Sequence, residues 1–283
     1  MNMPAPRGTP PRSTHRSLLV AVAAMAIGLL ATATVAVAHD TWLLPQSMRV
    51  PVGRPVLLSL TSGMAFPADD FAITATRVTR ATVRLAGERT HLARPHSMTL
   101  SLRYEWTPRT SGIAGLAVEL APKTLALAPD KIEEYFTDIN ASAELRAAWD
   151  SMPRPRRWRE SYTKHAASFV RVGNPGSDSS WRTPLGMGFE IVPEVDPTEL
   201  HVGQVLRVRV ERGGHPVGGL AVGLQHEGDT HVAFTATDAS GRARITVSRE
   251  GRWLVNVTDL RRATRPGLEW VSDFATLTLA ILR

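Results

Sequence analysis

The 283-residue sequence contains no cysteine, which excludes disulfide bonds, thiolate metal ligands and thiol catalysis. It has only three lysines (Lys123, Lys131 and Lys164), and its formal net charge of +7 comes from arginines that are scattered apart from one local cluster. We therefore expect no nucleic acid binding. The sequence also lacks Gly-x-Ser-x-Gly, a phosphate-binding glycine loop and His-Glu-x-x-His. No catalytic residue is predicted, and we do not expect an enzyme.

Residues 1–38 have the three parts of a secretory signal peptide. Arginines at positions 7, 12 and 16 precede an uncharged apolar run over residues 17–35, and Ala36-x-Ala38 supplies the small residues that signal peptidase requires. An uncleaved membrane anchor is the alternative, since the run approaches the ~20 residues that span a bilayer. Cleavage after Ala38 would leave residues 39–283 in the periplasm, without stable membrane insertion.

Short strand patterns dominate the chain that follows. Leu100, Leu102, Tyr104 and Trp106 alternate with polar residues, as in a half-buried strand. Seven short strand patterns occur in the last ~95 residues, a spacing typical of immunoglobulin-like sandwiches. The sequence therefore predicts a mainly β protein with two β-sandwich (Ig-like) modules, over residues 39–125 and 188–283.

A different pattern over residues 126–187 predicts a short helical and arginine-rich segment that joins the modules and includes one strand. Asp130 and Glu133 have the spacing of a helix N-cap and its partner, and apolar residues follow at positions 132, 135, 136 and 139. Four arginines lie within residues 154–159, which indicates either a solvated linker or contact with an anionic partner. Residues 160–172 are predicted to form the strand.

Signal cleavage after Ala38 would make His39 the first residue of the mature chain. Its α-amino group has an ordinary pKa near ~8, so a metal ion can displace the proton near neutral pH. The α-amine and imidazole together form a chelate that suits Ni²⁺ or Cu²⁺, and Asp40 could add an oxygen ligand. The alternative is a cleaved end that is simply frayed.

Three further histidines are candidate metal ligands. His165 lies on the strand predicted over residues 160–172, where the alternative is a partly buried side chain with its hydrogen bonds satisfied. His226 and His231 enclose Glu227 and Asp229, so a hairpin loop could bring nitrogen and oxygen ligands to one ion. An ordinary polar hairpin is the alternative there.

Several motifs together resemble one family of exported bacterial proteins. They are His39-Asp40-x-Trp42, Tyr162-Thr163-Lys164-His165-Ala166, Phe189-Glu190-Ile191-Val192-Pro193 with Asp196-Pro197, Thr237-Asp238-Ala239-x-Gly241 and Gly251-x-Trp253-Leu254. No single motif is specific, but their order along nearly the whole mature chain is similar to that of domain-of-unknown-function proteins labelled periplasmic nickel or cobalt uptake components. The chain departs from this pattern at Ala167, where a second lysine is expected. The resemblance implies a periplasmic β-sandwich protein that takes part in nickel or cobalt uptake.

These observations leave three hypotheses. The leading one is a periplasmic protein that binds divalent nickel or cobalt, with copper as another candidate metal, and delivers it to a membrane transporter. The second is an Ig-like structural or protein-interaction module with no metal. The third is a copper oxygenase, because such enzymes hold copper with an amino-terminal histidine on a β-sandwich.

Overall fold

The computed structural model describes Met1 and residues 39–283, so the predicted signal peptide lies outside the described residues except for Met1. Eighteen strands and two α-helices are present in the described part of the chain. The strands are β1 (Asp40–Pro45), β2 (Arg49–Val50), β3 (Val56–Gly63), β4 (Val78–Leu85), β5 (Glu88–His91), β6 (His96–Ser97), β7 (Leu102–Trp106), β8 (Gly112–Leu120), β9 (Lys123–Leu127), β10 (Trp158–Val172), β11 (Phe189–Pro193), β12 (Val205–Arg212), β13 (His215–Pro216), β14 (Ala221–His226), β15 (Ala233–Ala236), β16 (Arg242–Thr246), β17 (Gly251–Arg262) and β18 (Trp270–Ile281). The helices are α1 (Ile132–Asp138) and α2 (Ala143–Asp150).

The strands form three sheets. The N-terminal sheet has the order β1-β3-β7-β6, and the C-terminal sheet has the order β11-β12-β13 with β16 also paired to β12. Between them runs the long sheet, of order β15-β14-β17-β18-β10-β8-β4-β5, with β2 and β9 paired to β10. Neighbouring strands are antiparallel except that β10 pairs in parallel with β18 and β2. The mainly β prediction is confirmed.

Both faces of the long sheet are buried, one against each smaller sheet. Successive side chains of a strand point to opposite faces. On β10, Ala166 and Val170 accordingly join the hydrophobic core shared with the N-terminal sheet. Ala167 and Phe169 join the core shared with the C-terminal sheet. The two predicted sandwiches are therefore present, and they share one sheet.

The middle segment supplies the strand that holds the two sandwiches together. The strand predicted over residues 160–172 is present as β10, which begins earlier, at Trp158. It lies between β18 of the second module and β8 of the first. The segment predicted as a connection is thus part of the sheet itself, while the domain boundaries at residues 125/126 and 187/188 stay a prediction.

The predicted helical region is present, but its start differs from the prediction. Pro129–Lys131 form a 3₁₀ turn, so Asp130 lies within that turn and does not cap α1. The N-cap of α2 is Ser142, whose hydroxyl accepts a hydrogen bond from the amide of Leu145. Apolar residues of α1 pack with Trp158 and Trp270 in a third core.

Part of the arginine cluster has partners on its own chain. Arg156 forms an ion pair with Asp150 at 2.9 Å and lies over the Trp149 ring. The backbone amide of Arg159 donates to Glu269 at 2.8 Å. These contacts favour the interpretation of the cluster as a connecting segment.

Candidate functional site

His39 immediately precedes β1, and several contacts hold it against the rest of the protein. Its carbonyl oxygen accepts a hydrogen bond from the Lys164 ammonium on β10. Its partly buried imidazole packs on the Phe71 ring, with 4.5 Å between the ring centroids. The residue that would begin the mature chain therefore has a defined position.

The surroundings of His39 favour a neutral imidazole. Burial lowers the pKa of His39 and the positive charge of Lys164 lowers it further, while the negative charge of Asp70 opposes both. With a pKa below the ordinary 6.5, the ring keeps a free lone pair at neutral pH, which is the form that binds metals.

Asp70, which the sequence did not single out, acts on the His39 imidazole through its negative charge. It lies over Gly63, the residue of β3 paired with Asp40: a Cβ placed on Gly63 would be 2.8 Å from the Asp70 Cβ and 2.9 Å from the Trp42 ring. The absent side chain at Gly63 thus makes room for Asp70. Asp70 occurs in a loop, where no strand or helix periodicity marks it in advance.

The Asp40 side chain points away from the His39 side chain, although Asp40 was predicted as a ligand beside His39. The carboxylate of Asp40 accepts a hydrogen bond from the Asn256 side chain of β17 at 2.6 Å. Burial raises the pKa of Asp40, and Asn256 and the charge of Lys164 partly offset that rise. Because neighbouring side chains of a strand point in opposite directions, His39 and Asp40 do not face the same space.

His165 lies between two carboxylates. Its Nδ1 is 3.1 Å from Glu119 Oε2, and its Nε2 is 3.3 Å from Asp273 Oδ1. Burial opposes a charge on the ring, but the hydrogen bonds and charges of Asp273 and Glu119 together outweigh it and raise the pKa of His165. Each carboxylate also has an arginine partner: Arg80 lies 2.6 Å from Glu119, and Arg261 lies 2.7 Å from Asp273. The group is an ion cluster in which both imidazole nitrogens are engaged, so a metal ion would have to displace a carboxylate.

His226 and His231 lie at the two ends of the β14–β15 hairpin loop, as the sequence predicted for that stretch. The carboxylates between them are taken by arginines: Glu227 pairs with Arg252 at 2.7 Å, and Asp229 pairs with Arg249.

The two imidazoles of this loop differ in their contacts. His226 Nε2 donates to the Glu250 carbonyl at 2.8 Å, and its ring lies edge-on to Trp253 at 4.8 Å. His231 is exposed. These contacts fit an ordinary polar hairpin better than a metal site.

In residues 39–283, no three His, Asp or Glu side chains are grouped closely enough to hold a metal ion by themselves. The carboxylate whose negative charge acts on the His39 imidazole is that of Asp70. Signal cleavage would add a third group there, the α-amine of residue 39.

None of the helices in the described range is long and apolar enough to cross a membrane.

The fold defines a β-sandwich protein with a shared central sheet. The chain belongs to the family described as "Domain of unknown function (DUF4198)", which matches residues 36–259. No curated protein sequence matches the chain. The resemblance found in the sequence is therefore confirmed at the level of a family of unknown function.

Two solved structures are similar to this chain over most of its length. One is the D0-D1 domain of intimin, with 12% identity and a TM-score of 0.23, covering 86% of this chain and 99% of the other. The second is the adhesin InvE of Yersinia pseudotuberculosis, with 10% identity and a TM-score of 0.23, covering 86% and 59%. TM-scores this low carry no argument about function.

Proposed function

We propose that the mature chain is a periplasmic protein that binds divalent nickel or cobalt at His39 and delivers it to a membrane transporter. The α-amino and imidazole nitrogens of His39 are the first two ligands, and the carboxylate of Asp70 is the third. Such a nitrogen and oxygen set suits Ni²⁺, and it also suits Cu²⁺ as a competing metal. The observation that carries the proposal is the ordered position of His39 before β1, where its carbonyl oxygen accepts a hydrogen bond from Lys164 and its imidazole packs on Phe71.

The resemblance to proteins labelled as nickel or cobalt uptake components supports the choice of metal. The geometry adds a condition of its own, because one of the three proposed ligands is an amine that only cleavage after Ala38 creates. The uncut precursor should therefore bind nickel weakly, and the mature form should bind it well. This condition suits a protein that carries metal in the periplasm, because the protein would bind nickel only after export.

The experiment compares two proteins exported to the periplasm with the chain's own leader. One is the native form, and the other carries one extra alanine directly before His39. Intact mass identifies the first residue, and metal analysis after loading measures the bound nickel. We expect equimolar nickel on the native form and little on the extended form. Equal nickel on both forms contradicts a terminal chelate, and no metal on either form contradicts metal binding.

A second pair of variants tests the third ligand. Asp70→Asn removes the carboxylate charge beside His39 and should weaken nickel binding. Asp69→Asn is the matched control, because Asp69 precedes Asp70 in the same loop and its carboxylate accepts a hydrogen bond from Ser59 at 2.8 Å. Equal nickel affinity in the two variants would remove Asp70 from the proposed ligand set.

An interaction module is the second candidate function, and one surface feature favours it. Phe71 and Leu100 are 47% and 44% exposed; the Thr61 hydroxyl donates to the Leu100 carbonyl oxygen at 2.7 Å and lies 3.2 Å from that of Phe71. Exposed apolar side chains that form a contiguous patch are a feature of protein contact sites. If the loaded protein carries no metal in the experiment above, this becomes the better interpretation.

A further inference from the structure

Lys164 is a buried cation whose surroundings set it apart from the other basic residues. The residue is only 8% exposed, and its ammonium lies 5.7 Å from the ring centroids of both Tyr162 and Phe274. Burial lowers the pKa of Lys164 to about 8, and the charge of Asp40 opposes that change. The chain uses arginine almost everywhere else, so a lysine here fits a site that accepts one compact charge.

The contacts of Lys164 converge on the first two residues of the predicted mature chain. The ammonium donates to the His39 carbonyl oxygen and attracts the Asp40 carboxylate. Asn256 holds that carboxylate from β17. Lys164 of β10 therefore holds the backbone carbonyl of the residue that carries the proposed chelate, while Asn256 of β17 holds only the Asp40 side chain.

This contact bears directly on the geometry of a terminal chelate. The α-amine, the Cβ that carries the imidazole and the carbonyl carbon are all attached to the Cα of His39. Fixing the carbonyl group limits rotation of this residue, and so limits the directions of both nitrogen ligands. Ligands that are already ordered lose less conformational freedom on binding, which raises affinity.

We propose that Lys164 is the positioning residue of the metal site, acting through its hydrogen bond to the His39 carbonyl. This inference rests on the proposed function. Lys164 does not touch the metal, and its positive charge would disfavour a metal ion placed against it. A purely structural role is the competing explanation, in which Lys164 only compensates the buried carboxylate of Asp40.

Four variants of the mature protein separate these explanations. Lys164→Met removes the donor at similar length. Lys164→Met with Asp40→Asn also removes the carboxylate left without its counter-charge, and so guards against loss of folding. Asp40→Asn alone keeps the bond to His39. Lys123→Met is the matched control, because Lys123 is exposed and affects Lys164 only through its charge.

Nickel affinity by titration, the visible absorption spectrum of the bound Ni²⁺ and the melting temperature are measured for each. We expect the single and the double variant that carry Lys164→Met to raise the Kd for nickel about tenfold or more and to change the absorption spectrum. Asp40→Asn and Lys123→Met should match the wild type in both readouts. The spectrum reports the ligand geometry, which a purely structural role would not alter in a protein that is still folded.

Failure of the positioning role of Lys164 and failure of the proposed nickel-binding function give different results. If the wild type binds nickel and the folded double variant binds it with the same Kd and spectrum, the positioning role is wrong and the proposed function stands. If the Asp40→Asn variant loses affinity as much as the double variant, Asp40 and not Lys164 determines the site, and the positioning role is again overturned. If the wild type binds no nickel, both proposals fail.

Discussion

Replacing His165 with glutamine tests the ion cluster at the centre of the long sheet. The imidazole separates Glu119 from Asp273, at 3.1 and 3.3 Å. Removing one partner of a buried ion pair costs about 3–5 kcal/mol. Here both carboxylates keep an arginine and are 17% exposed, and glutamine can still donate to one of them, so we expect the low end, about 3 kcal/mol. For a chain of this size that lowers the Tm by about 6–12 °C.

The stability lost in the His165→Gln variant should depend on pH. The directions of the pKa shifts determine at which pH the loss is larger. The pKa of His165 is raised above 6.5, so its contribution is fully present below the unfolded value and is lost as the pH rises through the folded value. The pKa values of Glu119 and Asp273 are lowered, so their contribution is present above their unfolded values and is lost in acid. The difference between wild type and variant should therefore be largest near about pH 6 and smaller near about pH 9.

Urea unfolding of both proteins at these two pH values measures the difference directly. His231→Gln is the matched control, because His231 is exposed and should give less than about 0.5 kcal/mol. A His165→Gln variant as stable as the wild type near pH 6 would refute the ion cluster. A loss of the same size at both pH values would refute the charged imidazole. Nickel binding should survive the substitution, since the proposed metal site does not include His165.

Three further changes have expected outcomes. Gly63→Ala places a Cβ 2.8 Å from the Asp70 Cβ, so it should cost about 1–3 kcal/mol in urea unfolding and weaken nickel binding; unchanged nickel affinity would contradict the position given to Asp70. Tyr135→Phe removes the 2.9 Å hydrogen bond to the buried Glu160 carboxyl and should cost about 1.5 kcal/mol by the same method, whereas no loss would mean that this bond is dispensable. His226→Ala should leave nickel affinity unchanged by titration, because Nε2 donates to a backbone carbonyl and Nδ1 is buried from solvent, and a loss of affinity would restore the hairpin as a metal site.

Local patterns in the sequence predicted the strand content well, and they failed where distant segments decide the arrangement. The strand over residues 160–172 could be predicted from its strand-like end at residues 169–172 and the Gly/Pro turn that follows. Its parallel pairing with β18 could not, because Glu160 and Trp270 are far apart in the chain. The cap predicted at Asp130 was wrong because the preceding proline belongs to a 3₁₀ turn that includes Asp130.

In the candidate site, too, local sequence information identified some residues, while contacts between distant segments could not be predicted. His39 was identified from the predicted cleavage point, which is local information. Asp40 follows it in sequence, but the strand directs that side chain to Asn256, which is 216 residues away. The partners of His165 lie 46 residues before it and 108 residues after it, so sequence spacing could not show that its nitrogens are engaged.

The anchoring of β1 decides between a frayed end and an ordered one. A chain terminus usually frays unless other elements bind it. Here the carbonyl oxygens of Thr41 and Leu43 accept hydrogen bonds from the buried hydroxyls of Thr276 and Thr278 on β18. With the bond from Lys164 to His39, three donors of the long sheet hold alternate carbonyls of the segment. An added residue before His39 would abolish the α-amine of His39 without breaking any of these bonds, so lost nickel binding in the extended protein would report the chelate and not the fold.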